Sequence, residues 1–467
     1  MSPLSLDPRA LAAVALVYAT QLVAGWLVLG LLRPPPAGRR TWRDPRRWSR
    51  ALLLGPALVA LQMLALDALG LRFHLGLIVL PWWIPALLAW GARLPRQARA
   101  PSPIPPDPAP PLPAAARWLL GLVVLLFGGA LVAGLWMPVH TGDAMNQFAL
   151  NARVFETHGG LAPQALKSLA IPGHVEYPPL VSLNEALLFL AGGPARALVI
   201  KPFFALAFLA WMLLVVEACF ALLPVGLATT LALVALLAPA AALSATEGYA
   251  DLRLAATVLL LGLAGRALWL RPGRRRLLLY ALCAVACALT KLEGIAVGLA
   301  AAVLPALLAA RRRLPAGEAA LVLLVMLALV LAWPVYAHVH ALGRPALVGA
   351  EWHDAGIGLT RLPGVLSTML LMMVDIGIIE RHWGVFWLVS LALALWALRR
   401  PDRRTAVSAA LLCGAAQLLI YATVLSLTPA DLEWHVTTAA PRLLMHVAPW
   451  ALLAAALSRE RTPLRAE

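Results

Sequence analysis

Apolar runs of about twenty residues recur along the whole chain, separated by short loops that carry arginines or carboxylates. A helical run of that length matches the roughly 30 Å hydrocarbon core of a bilayer. Composition agrees, because 62% of the residues are hydrophobic and only 13% are charged, against about 25% in an ordinary soluble domain. A soluble enzyme, a disordered chain, a disulfide scaffold and an alternating β-barrel are therefore excluded. The sequence predicts an all-α polytopic membrane protein.

The net charge of +16 comes from loops rich in arginine. We attribute it to the positive-inside rule and expect no nucleic-acid partner. The loops assigned to the cytoplasm are 33–50, 93–117, 271–276, 311–313, 399–404 and 459–465. Most carboxylates then collect in the opposite, outer loops. All four cysteines lie inside apolar runs, which favours neither disulfides nor a zinc site.

This charge pattern predicts about thirteen spanning helices, with the N-terminus outside and the C-terminus inside. The predicted spans are 10–32, 51–70, 74–92, 118–138, 197–222, 227–245, 254–270, 277–292, 294–310, 318–338, 384–398, 406–426 and 442–457. The apolar stretches 178–193 and 363–380 do not fit the alternation of inner and outer loops. We expect both to be helices at the outer surface or re-entrant from it.

Four regions follow from these boundaries. Residues 1–93 form an N-terminal three-helix membrane unit without an assigned role. Residues 94–117 form a proline-rich cytoplasmic linker, which is extended and semi-rigid or simply a tether. The remaining regions are a module at 118–310, with a first outer loop at 139–196, and a helical module at 311–467, with outer loops at 339–383 and 427–442.

The first outer loop contains the most informative acid, Asp143. Thr141 or Asp143 could cap a helix that runs to His158 and ends at the following glycines. Its predicted apolar face consists of Met145, Phe148, Ala149, Ala152 and Phe155. A carboxylate just past a membrane exit is partly desolvated, which favours its use as a base. Capping alone is the alternative role for Asp143.

A second pair of acids, Glu247 and Asp251, lies in a later outer loop. If that turn is helical, a spacing of four residues puts both on one face, where they could hold a cation or position hydroxyls. The alternative is a solvated loop with a contact between Asp251 and Arg253.

Three basic residues on the outer side are candidates to bind a phosphate: Lys201, Lys291 and Arg442. Lysine binds phosphate as a point charge, and arginine binds it through two parallel hydrogen bonds. Snorkelling towards the membrane interface is the alternative for all three.

From Trp118 onward the chain resembles the polytopic glycosyltransferases of the C superfamily (GT-C), particularly bacterial family-39-like members. The resemblance rests on motifs in order along the chain: Gly142-Asp143-Ala144, Asn151-Ala152-Arg153 and His158-Gly159, then Tyr177 to Leu180, then Gly248 to Asp251, then Thr290 to Gly294. It covers about three quarters of the chain and leaves out residues 1–117.

The resemblance implies transfer of a sugar from a polyprenyl-phosphate carrier to an acceptor hydroxyl, with inversion. The acceptor would be a glycolipid, a polysaccharide or a protein, and the site would face the periplasm from a bacterial inner membrane. Asp143 would be the general base. The substrate-binding residues would be Lys201, Lys291 and Arg442 at the phosphate, Glu247 and Asp251 at the sugar hydroxyls, and Tyr177, Glu293 and His435. A divalent cation stays an open possibility, because some relatives use a metal and others do not.

Two other classes of protein remain open. A polysaccharide polymerase or an O-antigen-ligase-like enzyme would rely on outer arginines and a histidine, without an essential acid in the first loop. A transporter would carry charges at mid-membrane and broken helices in repeated halves. Asp67 and Glu217 are the acids that fall inside predicted spans, and the sequence has no two-fold repeat.

Overall fold

A computed structural model of the chain describes residues 7–32, 44–91, 113–139, 141–169, 174–193, 196–342, 355–374, 382–426 and 432–458. Every regular element in these ranges is a helix. In chain order the helices are α1 (Pro8–Leu32), α2 (Pro45–Ala68), α3 (Leu75–Gly91), α4 (Ala114–Trp136), a π-helix (Ala144–Ala149), α5 (Leu150–His158), α6 (Pro163–Lys167), α7 (Leu180–Gly192), α8 (Arg196–Val199), α9 (Lys201–Leu222), α10 (Val225–Leu236), α11 (Pro239–Glu247), α12 (Asp251–Leu270), α13 (Arg274–Thr290), α14 (Leu292–Ala300), α15 (Val303–Ala310), α16 (Ala316–Val339), α17 (Ala355–Val374), α18 (Phe386–Leu398), α19 (Pro401–Ser426) and α20 (Leu432–Leu457).

Eight helices in the described residues are long and apolar enough to cross a membrane, so the chain is a multi-pass all-α protein. They are α1, α2, α4, α9, α12, the continuous pair α14 and α15, α16 and α19. A ninth crossing results if α10 and α11, which meet at a 43° bend, form one span. The predicted count of thirteen is not confirmed, because the apolar parts of several predicted spans, such as Phe386–Leu398, are shorter than a full crossing.

Helix α7 coincides with the stretch predicted not to cross. Its 13 residues rise about 20 Å, which is less than the roughly 30 Å hydrocarbon core. Twelve of those residues are buried, and the helix packs against α1, α2 and α5. It is therefore enclosed by protein. The prediction of a helix at the outer surface or re-entrant from it did not include this burial. The other such stretch, 363–380, is described only to Val374, as part of α17 packed on α19 and α20.

The N-terminal helices pack directly on the rest of the protein. A Cβ atom at Gly55 would lie 1.8 Å from the backbone oxygen of Gln21, and one at Gly25 would lie 2.5 Å from that of Ala51. Glycines at this crossing let α1 and α2 approach closely. The Gln21 amide donates to the Asn184 side chain of α7 at 2.8 Å in a buried contact. The three-helix unit is thus joined to the remainder through its interior.

A proline in α2 creates an anchor for α12. Pro56 has no N–H, so the carbonyl of Leu52 lacks its usual helical donor. The buried guanidinium of Arg253 fills this gap: Nη1 lies 3.5 Å from that carbonyl oxygen, and Nη2 lies 3.4 Å from the Phe203 carbonyl oxygen. Arg253 also sits 4.0 Å above the Phe203 ring. The alternative of a surface contact between Arg253 and Asp251 is therefore wrong.

The two charge classes of the sequence occupy opposite ends of α12. Asp251 begins that helix, while Arg50 and Arg276 line a cavity beside its residues 260–267. Arg50 forms a 2.5 Å ion pair with Glu217 of α9 there. Asp251, predicted on the outer side, is thus separated along α12 from Arg50 and Arg276, which are predicted on the inner side.

Candidate functional site

The candidate site lies where four segments meet at the Asp251 end of α12. The π-helix begins after Asp143, α12 begins at Asp251, and the junction of α13 and α14 contributes Lys291. Helix α20 contributes Arg442 and His446. Residues that are hundreds of positions apart in sequence therefore converge on one polar cluster.

Asp143 does not cap the helix that follows it. The Thr141 hydroxyl lies 3.4 Å from the Ala144 amide and donates to the Glu247 carbonyl at 3.0 Å, so Thr141 takes the capping place. The Asp143 carboxylate instead accepts a 2.5 Å hydrogen bond from Arg442 Nη1. Capping alone is therefore the wrong interpretation of Asp143.

The predicted helix after Asp143 is present, but its first turns are wider than an α-helix. A π-helix covers Ala144–Ala149, α5 continues to His158, and Gly159 ends it with φ of 67°. Phe148, Ala152 and Phe155 are buried, whereas Met145 is exposed. Single π turns inside helices occur frequently at functional sites.

The pair formed by Asp143 and Arg442 is only partly buried. Their side chains are 27% and 29% exposed, and the guanidinium lies 5.2 Å from the Tyr249 ring centroid. In the described part of the chain, Asp143 uses one carboxylate oxygen for this bond. A guanidinium has five N–H donors, so Arg442 retains donors for a second anion.

A second pair lies behind the first and is fully enclosed. Lys291 Nζ is 2.7 Å from Asp251 Oδ1 and 3.3 Å from Glu293 Oε1. The exposed fractions of the Lys291 and Asp251 side chains are 3% and 1%. Burial of this kind keeps a charge in place only when its partner is present.

The Lys291 position follows from a reversal of the chain. Helix α13 ends at Thr290, Lys291 is extended, and α14 begins at Leu292. A Cβ atom at Gly294 would lie 1.9 Å from the Cys287 carbonyl oxygen, so only glycine allows the two helices to pack this closely. The Thr-Lys-x-Glu-Gly segment therefore presents Lys291 and Glu293 at the apex of a helical hairpin.

Glu247 and Asp251 do not share a helix face, so that prediction is wrong. Helix α11 ends at Glu247, and Gly248 adopts a left-handed conformation with φ of 86° before α12 begins. Glu247 is half-buried, and its charge acts on Tyr249. The two acids belong to the same end of the molecule, and the charges of both act on Tyr249, but they lie on different helices.

Lys201 is not in the polar cluster. Its Nζ donates to the carbonyl oxygens of Pro138 at 3.1 Å and Thr246 at 3.3 Å. The side chain thereby ties the end of α4 to the end of α11, and it is buried in protein rather than extended to the interface. Its place in the structure is that of a support for the loop that carries Asp143.

Tyr177 lies among the charges of the cluster. Burial raises the pKa of its hydroxyl well above the ordinary value, the charge of Glu293 raises it further, and the charge of Lys291 opposes the shift. The hydroxyl therefore stays protonated and can donate a hydrogen bond. His435 belongs to α20, but its side chain lies outside the described part of the structure.

Sequence reasoning missed the residues behind Asp251. His446 Nε2 lies 3.0 Å from Asp251 Oδ1, and His446 Nδ1 lies 3.1 Å from the Tyr421 hydroxyl. Gln417 and Trp450 continue the chain of contacts. The available signal was spacing, because polar residues four apart share a helix face, as do Arg442 and His446 or Gln417 and Tyr421.

No group of three or more histidine, cysteine, aspartate or glutamate side chains in the described ranges has an arrangement that could hold a metal ion. No family model, curated protein or solved structure matches the chain.

Proposed function

We propose that this protein is a membrane glycosyltransferase, GT-C-like from about residue 118, that moves a sugar from a polyprenyl-phosphate carrier to an acceptor hydroxyl. The acceptor is a glycolipid, a polysaccharide or a protein. The reaction takes place at the periplasmic face of a bacterial inner membrane. The main support is the half-exposed pair of Asp143 and Arg442, with the buried pair of Asp251 and Lys291 behind it.

The pair places a base and an anion-binding group side by side. In the proposed reaction the acceptor hydroxyl gives its proton to Asp143. The acceptor oxygen then attacks the anomeric carbon on the face opposite the phosphate, and the bond between that carbon and the phosphate oxygen breaks. The leaving phosphate keeps the electron pair and is stabilised by Arg442. The new glycosidic bond has the inverted configuration.

The buried residues contribute mainly through their charges and their positions. Lys291 is 3% exposed and is paired with Asp251 and Glu293, so its role is to hold these two carboxylates in place beside the site. Glu293 is 20% exposed and, with Tyr177 and Glu247, is a candidate to contact sugar hydroxyls. Lys201 supports the first outer loop from behind.

The contacts of other polar residues favour this proposal over its rivals. The histidine of the polar cluster, His446, is completely buried, so it is not itself the accessible histidine that a ligase-like mechanism would need. Asp67 accepts the backbone N–H of Leu161 at 2.8 Å, and Glu217 pairs with Arg50. The acids expected at mid-membrane in a transporter therefore have structural partners.

The test has three arms, and the first two present one substrate each to the purified protein in lipid nanodiscs. The first is a labelled monosaccharide on a polyprenyl monophosphate, and the second is a labelled glycan on a polyprenyl diphosphate. The third arm measures uptake of label by sealed vesicles. We expect covalent transfer from the monophosphate with release of polyprenyl phosphate. Transfer only from the diphosphate, or uptake without transfer, would replace this proposal with the polymerase-type enzyme or the transporter.

A further inference from the structure

One face of α20 contacts three different parts of the protein. Arg442, His446 and Trp450 are four residues apart, so they lie in one row along the helix. Arg442 meets Asp143, His446 meets Asp251, and Trp450 meets Gln417 of α19. A Cβ atom at Gly262 would lie 2.3 Å from Leu453 Cδ1, and one at Gly414 would lie 3.3 Å from Trp450 Cβ. These glycines let α12 and α19 pack closely against α20.

The hydrogen bonds behind His446 have a direction that side-chain chemistry dictates. The indole N–H of Trp450 can only donate, so Gln417 Oε1, at 2.8 Å, is its acceptor. This fixes the orientation of the Gln417 amide and turns Nε2 towards the Tyr421 hydroxyl, 2.5 Å away. An amide nitrogen only donates, so the Tyr421 oxygen accepts. The chain of donors therefore runs from Trp450 towards His446.

The Tyr421 hydroxyl extends this chain of donors to the His446 imidazole. Tyr421 is 3% exposed, and its hydroxyl has one remaining described neighbour, His446 Nδ1, at 3.1 Å. If the Tyr421 hydrogen points at Nδ1, that nitrogen is an acceptor and carries no proton. If Nδ1 were protonated instead, the Tyr421 hydrogen would be buried without an acceptor, which is unfavourable.

The proton of His446 is then on Nε2, which faces Asp251 Oδ1 at 3.0 Å. His446 Nε2 has no hydrogen-bond partner among the described residues, so this is a polar contact rather than a hydrogen bond. The same oxygen accepts from Lys291 at 2.7 Å. Two donors thus converge on one carboxylate oxygen of Asp251.

We propose that His446 is a positioning residue, held with its proton on Nε2 by the chain Trp450, Gln417 and Tyr421, and that it fixes the rotation of α20 so that Arg442 meets Asp143. Trp450 and Leu453 hold the same face of α20 further along the helix, so the His446 contact is the one that fixes the turn next to Arg442. Arg442 is one turn from His446, so loss of the His446 contact allows the guanidinium to move relative to Asp143.

The tautomer is measured directly by ¹⁵N NMR of histidine-labelled protein in nanodiscs at neutral pH. The His446 signal is assigned by its absence in His446→Gln. We expect an unprotonated Nδ1 and a protonated Nε2, and a mixture of tautomers in Tyr421→Phe. A protonated Nδ1 in the wild-type protein, or an unchanged tautomer in Tyr421→Phe, would overturn the proposal. This result decides the tautomer even if the protein transfers no sugar.

The positioning role rests on the proposed function and is measured in the transfer assay. We expect His446→Ala to raise the KM for the donor roughly tenfold, about the effect of losing one charge-assisted hydrogen bond at Arg442. His446→Gln, which keeps an N–H near the Nε2 position, should restore most of that loss. A Gln variant no better than the Ala variant would contradict the role.

Tyr280→Phe is the matched control for Tyr421→Phe. Tyr280 is also buried, and its hydroxyl donates to the Ala301 carbonyl at 3.0 Å, away from the site. Both variants lose one buried hydroxyl, so similar losses of thermal stability are expected. Only Tyr421→Phe should raise the donor KM. An equal rise in both variants would mean that the effect is general destabilisation, and the proposal would fail.

Discussion

Two carboxylate–cation pairs lie at the same end of this protein and differ in their access to solvent. Asp143 and Arg442 are 27% and 29% exposed, whereas Asp251 and Lys291 are 1% and 3% exposed. The first pair links a loop to the start of the apolar part of α20. The second pair links the first residue of α12 to the apex of the hairpin of α13 and α14.

The difference in exposure distinguishes an ion pair that a ligand can reach from one that is enclosed by protein. A partly exposed ion pair contributes about 0–1 kcal/mol to stability, so a phosphate or a hydroxyl can replace one partner at little cost. Removing one partner of a buried pair leaves an uncompensated charge, which is strongly destabilising. The enclosed pair therefore has the properties of a structural support, and in the proposed function the partly exposed pair of Asp143 and Arg442 is the reactive part of the site.

The largest expected effect on stability comes from Asp251→Asn. Lys291 would keep only Glu293, at 3.3 Å, and we expect a loss of about 3 kcal/mol, the low end for a broken buried pair. Asp143→Asn should lose at most about 1 kcal/mol. The free energy of unfolding of both variants in detergent gives the comparison. Equal losses would contradict the distinction between the two pairs.

A steric change at a residue that belongs to neither pair shows what general destabilisation does. In Gly55→Ala the new methyl group would lie 1.8 Å from the Gln21 backbone oxygen, and we expect a loss of about 1–3 kcal/mol from overpacking. Gly30→Ala is the control, because a Cβ atom there has nothing within 4 Å among the described residues. The donor KM of the folded fraction should be unchanged in both variants. A raised KM in Gly55→Ala alone would link the N-terminal helices to the donor site.

Arg442→Lys tests the partly exposed pair of Asp143 and Arg442 while keeping the positive charge. Lysine lacks the planar guanidinium through which arginine can bind a carboxylate and a phosphate at the same time. We expect the KM for the donor to rise roughly tenfold, the effect of one lost charge-assisted hydrogen bond, with little change in stability. The measurement is steady-state transfer over a range of donor concentrations. An unchanged KM would remove Arg442 from donor binding.

The smallest expected effect is that of Tyr249→Phe. Burial raises the pKa of the Tyr249 hydroxyl, and the charge of Arg442 partly opposes the shift. Because the pKa is raised above its ordinary value near 10, the hydroxyl stays protonated throughout the neutral pH range. Phenylalanine keeps the aromatic ring beside Arg442. Activity should change by no more than about twofold, since the aromatic contact is retained, and the pH profile between 6 and 9 should keep its shape. A new inflection in that interval would contradict a purely packing role.

Hydropathy and charge predicted the parts of this fold that follow from solvent. Long apolar runs gave the spanning helices, and Asp251 lies at the opposite end of α12 from Arg50 and Arg276, as expected. The count of spans exceeded what the helices support, because an apolar run such as Phe386–Leu398 can be an interior helix as easily as a crossing. Periodicity does not distinguish lipid from protein as the surroundings of a helix.

The site could be predicted only in part, for reasons specific to each residue. Asp143, Asp251, Lys291 and Arg442 were found because charges at the ends of spans need an explanation. The shared face of Glu247 and Asp251 failed because Gly248 ends α11 between them. Lys201 is bonded to two carbonyl oxygens that belong to distant segments, which no local pattern encodes. The spacing of His446 from Arg442 indicates a shared helix face, but not that Asp251 and Tyr421 of other helices meet the imidazole.

The central claim is that the partly exposed pair of Asp143 and Arg442 carries out the sugar transfer. The most direct measurement is the turnover of Asp143→Asn at saturating polyprenyl-phosphate donor, beside the wild-type protein and with the folded fraction measured for both. Asparagine retains the shape and hydrogen-bonding capacity of the side chain but cannot accept the proton. The account predicts turnover lowered by about 10²–10⁴-fold, as expected for a lost general base, with near-native stability. Turnover above about a tenth of the wild-type value would contradict it.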